Sequence, residues 1–264
     1  MSTLPTPQPP DAAHLAAPVC HNCGAELTTP FCGRCGQKRA HRLDFGAVRA
    51  EAWQSSRVFE FGIVKAAWRL ARSPGHLARE FVLGARAKHV HPLKLLLIAL
   101  GIQLLVLTEV QFLTAVNTEY NAVMQRVQSI ANWSLSLGFF AIVVASMAVL
   151  SWRRPYNLTE HVVLGLYAHF LVVAANILSF LPLLVYHHPG FVAAHRVWSA
   201  WPMEVIETSL VLFAFYQFFQ LQWRRDWWRL LLAGALYALV KWGLNRLFVI
   251  AVIKYVLFTT TKAS

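Results

Sequence analysis

The sequence predicts an all-α polytopic membrane protein, with about five transmembrane helices that follow a small cysteine-containing module and an amphipathic interfacial helix. Composition is the first reason: of 264 residues, 57% are hydrophobic and only 14% are charged, whereas a soluble domain has about 25% charged residues. The second reason is that all four cysteines lie before residue 36. The third is a series of five apolar stretches, each close to the roughly 20 residues that cross a bilayer. This composition excludes a coiled coil and a disordered chain, and it argues against an ordinary soluble enzyme.

Composition also divides the chain into four parts. Residues 1–19 contain five prolines and little apolar surface, which is typical of a disordered tail. Residues 20–40 hold the cysteines, residues 41–92 form an amphipathic juxtamembrane region, and residues 93–264 form the transmembrane helical domain. Because residues 1–94 carry 13 of the 24 Lys and Arg, positive charge is concentrated before and around the start of the first span.

The cysteines form two Cys-x-x-Cys-Gly turns, which are the strongest chemical signal in the sequence. Each turn aims two thiolates at one point, and the glycine after the second cysteine allows the backbone to turn tightly. Two such turns supply the four sulfurs of a tetrahedral Zn²⁺ site, with Zn–S distances of about 2.3 Å. The sequence therefore predicts a zinc ribbon with one structural zinc ion and these ligands: Cys20, Cys23, Cys32 and Cys35.

Three other uses of this motif stay open at this point: a redox dithiol, a disulfide pair and an iron–sulfur cluster. Disulfides are rare in a reducing cytoplasm, where we expect this segment to lie. A thioredoxin-like centre needs a single Cys-x-x-Cys in a βαβ setting, which the sequence does not have. With four cysteine ligands, a zinc ion has no open position for catalysis. His21, between the first two cysteines, is interpreted as a surface residue and not as a ligand.

Residues 57–72 have the pattern of a basic amphipathic helix. One face of this helix is apolar and consists of Phe59, Ile63, Ala66 and Leu70. The opposite face is basic and consists of Arg57, Lys65, Arg69 and Arg72, with Trp68 among them. A helix of this kind beside a span is expected to lie on the anionic cytoplasmic leaflet of the bilayer. The alternative, a helix that packs on the membrane domain, has nearly the same support.

The loops between the apolar stretches predict how the chain is oriented. The predicted spans are 93–113, 133–151, 162–186, 203–222 and 229–258. Arginine pairs follow the second and fourth spans, at residues 153–154 and 224–225, while the other connections are poor in basic residues. By the positive-inside rule, the N-terminus is cytoplasmic and the C-terminus lies outside. The last segment contains Lys241, Asn245 and Arg246, so it is compatible with one tilted helix or with a broken one.

Several motifs occur in an order that resembles a known family. They are the double Cys-x-x-Cys ribbon ending in Cys35-Gly36-Gln37, then Pro74-Gly75, the string REFVLGAR at 79–86, Pro92 at the first span, and YNLTEH at 156–161 with His169 eight residues later. Together they resemble bacterial zinc-ribbon multi-span membrane proteins classed as a domain of unknown function. The resemblance covers about residues 20–170 and implies this architecture, with no established activity. Ala85 stands where the family usually has lysine, which weakens the case for a phosphate site in the string.

Ionisable residues within predicted spans point to function, because they are costly in a bilayer. One group, at the cytoplasmic interface and in the third span, consists of His89, His91, Glu160, His161 and His169. Imidazole and carboxylate groups could bind a metal ion or relay protons; helix capping and contacts with headgroups or carbonyls are the alternative. The second group consists of Glu204, Glu207, Lys241 and Arg246. In this group we expect an ion pair between Glu207 and Arg246, with a substrate or proton path as the alternative.

These observations favour a non-enzymatic adaptor, scaffold or membrane sensor of the bacterial cytoplasmic membrane, whose zinc ribbon and basic helix dock a cytoplasmic partner. One alternative is a transporter or channel component with a polar path through Glu207, Arg246 and His169. Another is an interfacial enzyme that works at Glu160 and His161, although the sequence has none of the common catalytic motifs. The ribbon lacks a recognition helix, which argues against nucleic acid as a partner. A homo-oligomer is compatible with the sequence.

Overall fold

The computed structural model describes residues 10, 12–54, 62–114, 137–151, 156–186 and 188–263. In these residues the chain is helical, and its β-structure is limited to two isolated bridges. The helices are α1 (Ala12–Ala16), α2 (Phe45–Gln54), α3 (Gly62–Arg72), α4 (Pro74–Val82), α5 (Pro92–Thr114), α6 (Leu137–Ala145, continued by the π-helical turn Ser146–Leu150), α7 (Leu158–Val185), α8 (Pro189–Phe218) and α9 (Trp223–Ala263). The predicted all-α architecture is confirmed for the described residues.

Three helical segments are long and apolar enough to cross a membrane: Pro92–Val110, Leu158–Val185 and Trp223–Tyr255. The apolar helix Leu137–Leu150 is shorter, and the predicted span 133–151 begins outside the described residues. A total of five spans therefore stays a prediction. The last segment, which the sequence left as one helix or two, is a single continuous helix of 41 residues.

Helix α7 lies at the centre of the bundle and packs against α4, α5, α6 and α8. All residues from 163 to 173 are buried, so this part of the helix is covered on every side, as its nearly continuous apolar sequence indicates. Its first turn is fixed by a capping box, in which Asn157 Oδ1 accepts a hydrogen bond from the Glu160 amide at 2.8 Å and Glu160 Oε2 accepts one from the Asn157 amide at 2.7 Å. The start of this helix is thereby fixed.

The Pro74-Gly75 motif marks the closest approach of α4 to α8. A side chain at Gly75 would overlap the Ala214 carbonyl and the Phe218 amide of α8, and would lie 2.6 Å from the Cβ atom of Gln217. The Gly75 amide donates a hydrogen bond to Gln217 Oε1 at 3.0 Å. Glycine is needed here because the two backbones meet almost directly.

The predicted disordered tail at the N-terminus needs correction. Within the expected disordered tail, residues 12–16 form helix α1, whose Leu15 is buried and whose His14 Nε2 lies 3.1 Å from the Leu83 carbonyl. The tail prediction is therefore wrong for this helix, while residues 1–9 and 11 lie outside the described residues. The reason is tertiary: α1 has a surface to pack on that its composition does not reveal.

Helix α3 forms the C-terminal part of the predicted amphipathic helix. Leu70 is fully buried, whereas Trp68 and the basic side chains of Arg69 and Arg72 are exposed. The Arg72 guanidinium lies 4.4 Å from the centre of the Trp68 ring. The remaining predicted positions of the two faces, Arg57, Phe59, Ile63, Lys65 and Ala66, have side chains outside the described residues.

Candidate functional site

The four predicted cysteine ligands converge. Their sulfur atoms all lie within 4.8 Å of one another, with Cys20 and Cys35 sulfurs 3.6 Å apart and those of Cys23 and Cys32 3.5 Å apart. Four sulfurs around a single tetrahedral ion at about 2.3 Å would be separated by distances of this size. The cluster could therefore hold a metal ion.

The backbone around the sulfurs is a repeated turn. Gly24 and Gly36 have φ values of +73° and +72°, in the left-handed region that glycine adopts readily. The amides of Cys20 and Cys32 donate to the carbonyls of Ala25 and Gln37, at 2.7 and 2.8 Å. We call the segment that contains both turns, residues 18–39, the cysteine module. Its two glycines confirm the tight turn that the sequence predicts after each second cysteine.

Two thiols of the module, those of Cys23 and Cys35, have pKa values that shift in opposite directions. Although burial alone would raise it, the pKa of Cys35 falls to about 6, because the Gln37 amide, the Asn22 side chain and neighbouring sulfurs donate hydrogen bonds to it. The Ala25 amide lowers the pKa of Cys23, but burial and the three neighbouring sulfurs raise it to about 12. Four close thiolates repel one another, so a bound cation is what would allow all of them to be deprotonated.

Gln37 attaches the cysteine module to the loop that follows α4. Its Nε2 atom donates to the Gly84 carbonyl at 2.7 Å, and its Oε1 atom accepts from the amides of Arg86 and Ala87 at 2.9 and 2.8 Å. Asn22 adds a fourth contact, because its Oδ1 atom accepts from the Lys88 amide at 3.1 Å. Gln37 is buried, and so are its hydrogen bonds with Gly84 and Arg86, whereas the one from the Ala87 amide is partly exposed.

Arg86 strengthens the same junction from the other side. Its guanidinium is buried, donates to the carboxylate of Glu51 and to the His41 carbonyl, and lies 6.0 Å from the centre of the Phe81 ring. Gly84 has a φ of +105°, and a side chain there would lie 2.8 Å from the Ala40 Cβ atom. The Gly84-Ala85-Arg86 string therefore connects the cysteine module to the loop after α4. Sequence reasoning had not identified Gln37 and Arg86 as partners in it.

Glu160 and His161, which the sequence places in one candidate cluster, have separate partners. Glu160 is fully buried and forms an ion pair with Arg42, with 3.1 Å between Nε and Oε1, in addition to the capping box at Asn157. His161 Nδ1 lies 2.9 Å from the Ser146 hydroxyl of α6. Arg42 was not anticipated, because 118 residues separate it from Glu160.

The two histidines before the first membrane helix are also held separately. His89 Nε2 lies 2.8 Å from Glu80 Oε2, which Lys88 also approaches at 2.9 Å. His91 is buried edge-to-face against Phe81. Burial lowers the pKa of His91 to about 4, and the charges of Lys94 and Arg86 act in the same direction. In the described part of the chain, only the four cysteines form a group of three or more His, Cys, Asp or Glu that could hold a metal ion.

Lys241 is the centre of the second candidate cluster. Its ammonium lies 2.5 Å from Glu207 Oε2 and 2.7 Å from Glu204 Oε2. Asn176 of α7 donates to Glu207 Oε1 at 2.8 Å, so the buried carboxylate is bonded on both oxygens. Three helices contribute to this network: α7, α8 and α9.

The predicted ion pair between Glu207 and Arg246 is therefore wrong, and Lys241 takes the place of the arginine. Arg246 is exposed and its guanidinium lies 5.5 Å from the centre of the Trp242 ring. Five residues correspond to about 140° of rotation on an α-helix, so Lys241 and Arg246 cannot both face Glu207. The predicted pair was chosen because Glu207 and Arg246 lie at a similar depth in the membrane. It does not form because Arg246 projects from a different face of α9 than Lys241 does.

His169 lies beside this network but is not bonded to it. His169 and Tyr237 are both buried, and they meet over Gly138, where an added Cβ atom would lie 3.5 Å from His169 Nδ1 and 3.8 Å from the Tyr237 hydroxyl. Among the residues that the structure describes, the two imidazole nitrogens of His169 and the hydroxyl oxygen of Tyr237 have no hydrogen-bond partner. Gly138 thus leaves space beside two buried polar side chains, those of His169 and Tyr237.

Comparison with known proteins gives one match. A family model described as "Protein of unknown function (DUF3667)" matches residues 60–104, which contain α3, α4 and the first half of α5. This match agrees with the resemblance to a family of unknown function over these residues. Neither a curated protein nor a solved structure matches the chain.

Proposed function

We propose that this protein is a non-enzymatic adaptor of the bacterial cytoplasmic membrane, in which a zinc-organised module at the cytoplasmic end of a helical bundle docks a cytoplasmic partner. The N-terminus is cytoplasmic and the C-terminus lies outside. The bundle anchors the module in the membrane, and the module supplies the recognition surface.

The metal in this proposal is a single structural Zn²⁺ ion. Four thiolates from two Cys-x-x-Cys-Gly turns are a typical donor set for structural zinc, and they fill its tetrahedral coordination. The sulfur separations of 3.5 and 3.6 Å and the glycine turns support this choice. When bound, the ion would be held by Cys20, Cys23, Cys32 and Cys35 and would supply cross-linking of the two turns.

The attachment of the module by one side is the observation that supports an adaptor. Gln37 and Asn22 fix the module on the loop after α4, whereas Phe31 is 58% exposed and Val19 is 41% exposed. We place the partner on this exposed phenylalanine, on the side of the module that faces away from the attachment. The module also exposes basic side chains, so we expect the partner surface to combine an apolar patch with acidic groups: Arg34, Lys38 and Arg39 are all exposed.

Helix α3 adds a second contact, with the bilayer. Trp68 is exposed beside Arg69 and Arg72, and a tryptophan among basic residues is suited to the headgroup region of an anionic leaflet. This placement would hold the cysteine module close to the cytoplasmic membrane surface. Partner docking would then take place at the membrane and not in the bulk cytoplasm.

Site-specific photocrosslinking in intact cells tests the adaptor role. A photoreactive phenylalanine analogue at position 31 should give a discrete adduct with a cytoplasmic protein, and the adduct should disappear when Cys32→Ser is added. The same analogue at Leu105, which is 70% exposed on α5, should give no such protein adduct. If position 31 gives no adduct, or if the adduct survives Cys32→Ser, the adaptor role is contradicted.

A second candidate function, transport, has an observation of its own. The network of Lys241, Glu207 and Asn176 is buried between membrane helices, and His169 and Tyr237 lie next to it without described partners. Buried ionisable groups of this kind often mark a proton or ion path. Proteoliposomes with an internal pH dye test this: a transporter should show proton flux that Glu207→Gln abolishes, whereas an adaptor should show no flux above that of empty liposomes.

A further inference from the structure

The middle parts of α8 and α9 enclose an open groove of about 860 Å³ between them. The residues of α9 that line it, between 238 and 249, belong to the candidate membrane span Trp223–Tyr255. In the most apolar part of that span 11% of the residues are buried, against 33% and 44% in the other two candidate spans. Of these three spans, α9 therefore has the largest share of surface left for lipid or for another helix.

The residues that line the groove have the spacing of packed helices. Each helix contributes a series with alternating steps of three and four residues: Trp201, Glu204 and Thr208 on α8, and Ala238, Trp242, Asn245 and Val249 on α9. The short connection formed by residues 219–222 makes the two helices an antiparallel pair. Steps that average about 3.5 residues bring side chains to one seam, as in four-helix bundles. Two copies placed groove to groove would therefore form such a bundle, with α8 of one copy beside α9 of the other.

Two exposed charges of opposite sign line the groove, one on each helix. Glu204 accepts its hydrogen bond from Lys241 at Oε2, and its side chain is 49% exposed. Arg246 is exposed, and it takes part in none of the ion pairs formed by the described residues. An arginine within a membrane span is costly unless it is paired. A carboxylate from outside the protomer would supply the missing partner.

These two charges make the groove surface complementary to itself. In a twofold dimer, a contact from one residue to a second is repeated from the second to the first. With the axis along the membrane normal, both copies keep the same orientation in the bilayer, and each residue keeps its depth. Glu204 of one copy could then meet Arg246 of the other copy twice. Lipid chains could cover an apolar face, but the pair of opposite charges favours a second copy of this chain.

We propose that the groove is the interface of a homodimer, in which α8 and α9 of two copies form a four-helix bundle. Glu204 of each copy pairs with Arg246 of the other, and the planar guanidinium is suited to a carboxylate. Lys241 stays bound to Glu207 within its own protomer. The dimer does not depend on the partner-docking role of the cysteine module.

Co-purification of two differently tagged full-length copies from cell membranes tests the charge pairing. Wild-type copies should co-purify, whereas two copies of Arg246→Glu, or two copies of Glu204→Lys, should do so about tenfold less, because like charges then face each other. One copy of Arg246→Glu with one of Glu204→Lys should recover most of the wild-type level, since each ion pair of the mixed dimer again has opposite signs. Arg224→Glu, which changes an exposed charge of α9 outside the groove, is the matched control and should co-purify with itself as the wild type does.

Photocrosslinking in intact cells tests the same interface with every charge in place, so it decides the matter even if a charge variant fails to fold. A photoreactive phenylalanine analogue replaces Trp242, which lines the groove, or Leu231, which is on α9 outside it; both are 60% exposed. The analogue at 242 should give a covalent species of twice the protein's mass, and the analogue at 231 should not.

Three results would overturn the dimer. Wild-type copies that do not co-purify would show that no stable dimer exists. A mixed pair of folded variants that is not restored would show that Glu204 and Arg246 do not meet across an interface. Adducts at 242 of lipid mass only would identify lipid as the occupant of the groove.

Discussion

The cysteine module and the helical bundle are stabilised in different ways. The buried core of the module consists of Cys20, Leu27 and Cys32, whereas the bundle has a core of 33 buried residues in the described part of the chain. At about 1.5–3 kcal/mol for each fully buried apolar side chain, three residues cannot offset the conformational entropy of a twenty-residue segment. In the metal-bound state that we propose, coordination supplies in the module the stabilisation that burial supplies in the bundle.

The two regions also treat polar groups differently. In the module, the thiols of Cys23 and Cys35 accept hydrogen bonds from backbone amides of the turns, and Gln37 is bonded to the backbone of the junction. In the bundle, buried carboxylates are paired with cations: Glu160 with Arg42, whose side chain is 48% exposed, and Glu207 with Lys241. Loss of one partner in the bundle leaves a buried charge, whereas loss of a single hydrogen bond in the module leaves a local gap. The comparison predicts a graded series of effects.

The largest effect should come from loss of a metal ligand. Cys32→Ser should remove the bound zinc equivalent and unfold the module, because the folding free energy of such a site is the metal-binding free energy, about 10–16 kcal/mol for zinc-finger peptides. Metal analysis of the purified full-length protein measures this. His21→Gln, which changes a residue next to Cys20 outside the sulfur cluster, should keep one full equivalent. Retention of zinc by Cys32→Ser would contradict four-cysteine ligation.

The next effect belongs to the bundle. Lys241→Met should leave the carboxylates of Glu204 and Glu207 without their cation and destabilise the protein by about 3–5 kcal/mol, as is usual when one member of a buried pair is removed. Thermal unfolding in detergent, followed by tryptophan fluorescence, measures the loss. Lys254→Met, an exposed lysine on the same helix, should have little effect. Addition of Glu207→Gln to Lys241→Met should restore part of the stability; a further additive loss would show that the two residues act independently.

Acid should weaken the boundary between the two regions through His91. Its pKa is lowered by burial from 6.5 to about 4, so the unfolded chain binds this proton at a higher pH than the folded one. The stability contributed by neutral His91 is complete above pH 6.5 and is lost as the pH falls towards 4, by about 3 kcal/mol.

A neutral replacement separates this effect from other titrations. His91→Gln should unfold at a temperature that falls less between pH 7 and pH 4.5 than that of the wild-type protein. Identical pH profiles for the two proteins would show that His91 does not titrate as its burial predicts.

The smallest effect should come from the junction itself. Gln37→Ala removes three hydrogen bonds to Gly84, Arg86 and Ala87, and each buried group left without a partner costs about 1–3 kcal/mol. Water can replace the partner of the partly exposed Ala87 amide, and all three bonds lie at the junction, so metal binding by the module and stability of the bundle should be almost unchanged. Limited proteolysis should cut residues 83–88 faster in Gln37→Ala than in Lys38→Ala, an exposed neighbour. Equal cleavage would mean that Gln37 does not hold the module.

Local features of this chain could be predicted from sequence because their causes are local. The Cys-x-x-Cys-Gly turns depend on spacing and on two glycines, and the apolar helices depend on length and composition. The capping box at Asn157 and Glu160 is likewise contained within four residues. Such features need no knowledge of what lies across the fold.

Features that depend on distant neighbours could not be predicted in this way. Arg42 finds Glu160 across 118 residues, and Gln37 finds the 84–87 loop across about fifty. The choice of Lys241 over Arg246 depends on which face of α9 meets α8, which apolar composition on all sides of the helix does not specify. In the sequence, Lys241 and Arg246 are both possible partners of Glu207. Only the packing of α9 against α8 determines which of the two forms the ion pair.

Hydrogen exchange of the full-length protein in detergent, before and after metal removal by a chelator, tests most directly whether coordination holds the module and burial holds the bundle. After chelation, backbone amides of residues 18–39 should exchange as fast as those of an unfolded peptide, while those of residues 163–173 in α7 keep their protection. Readdition of zinc should restore protection in the module. Protection of residues 18–39 that persists without metal, or an equal loss of protection in α7, would contradict this account.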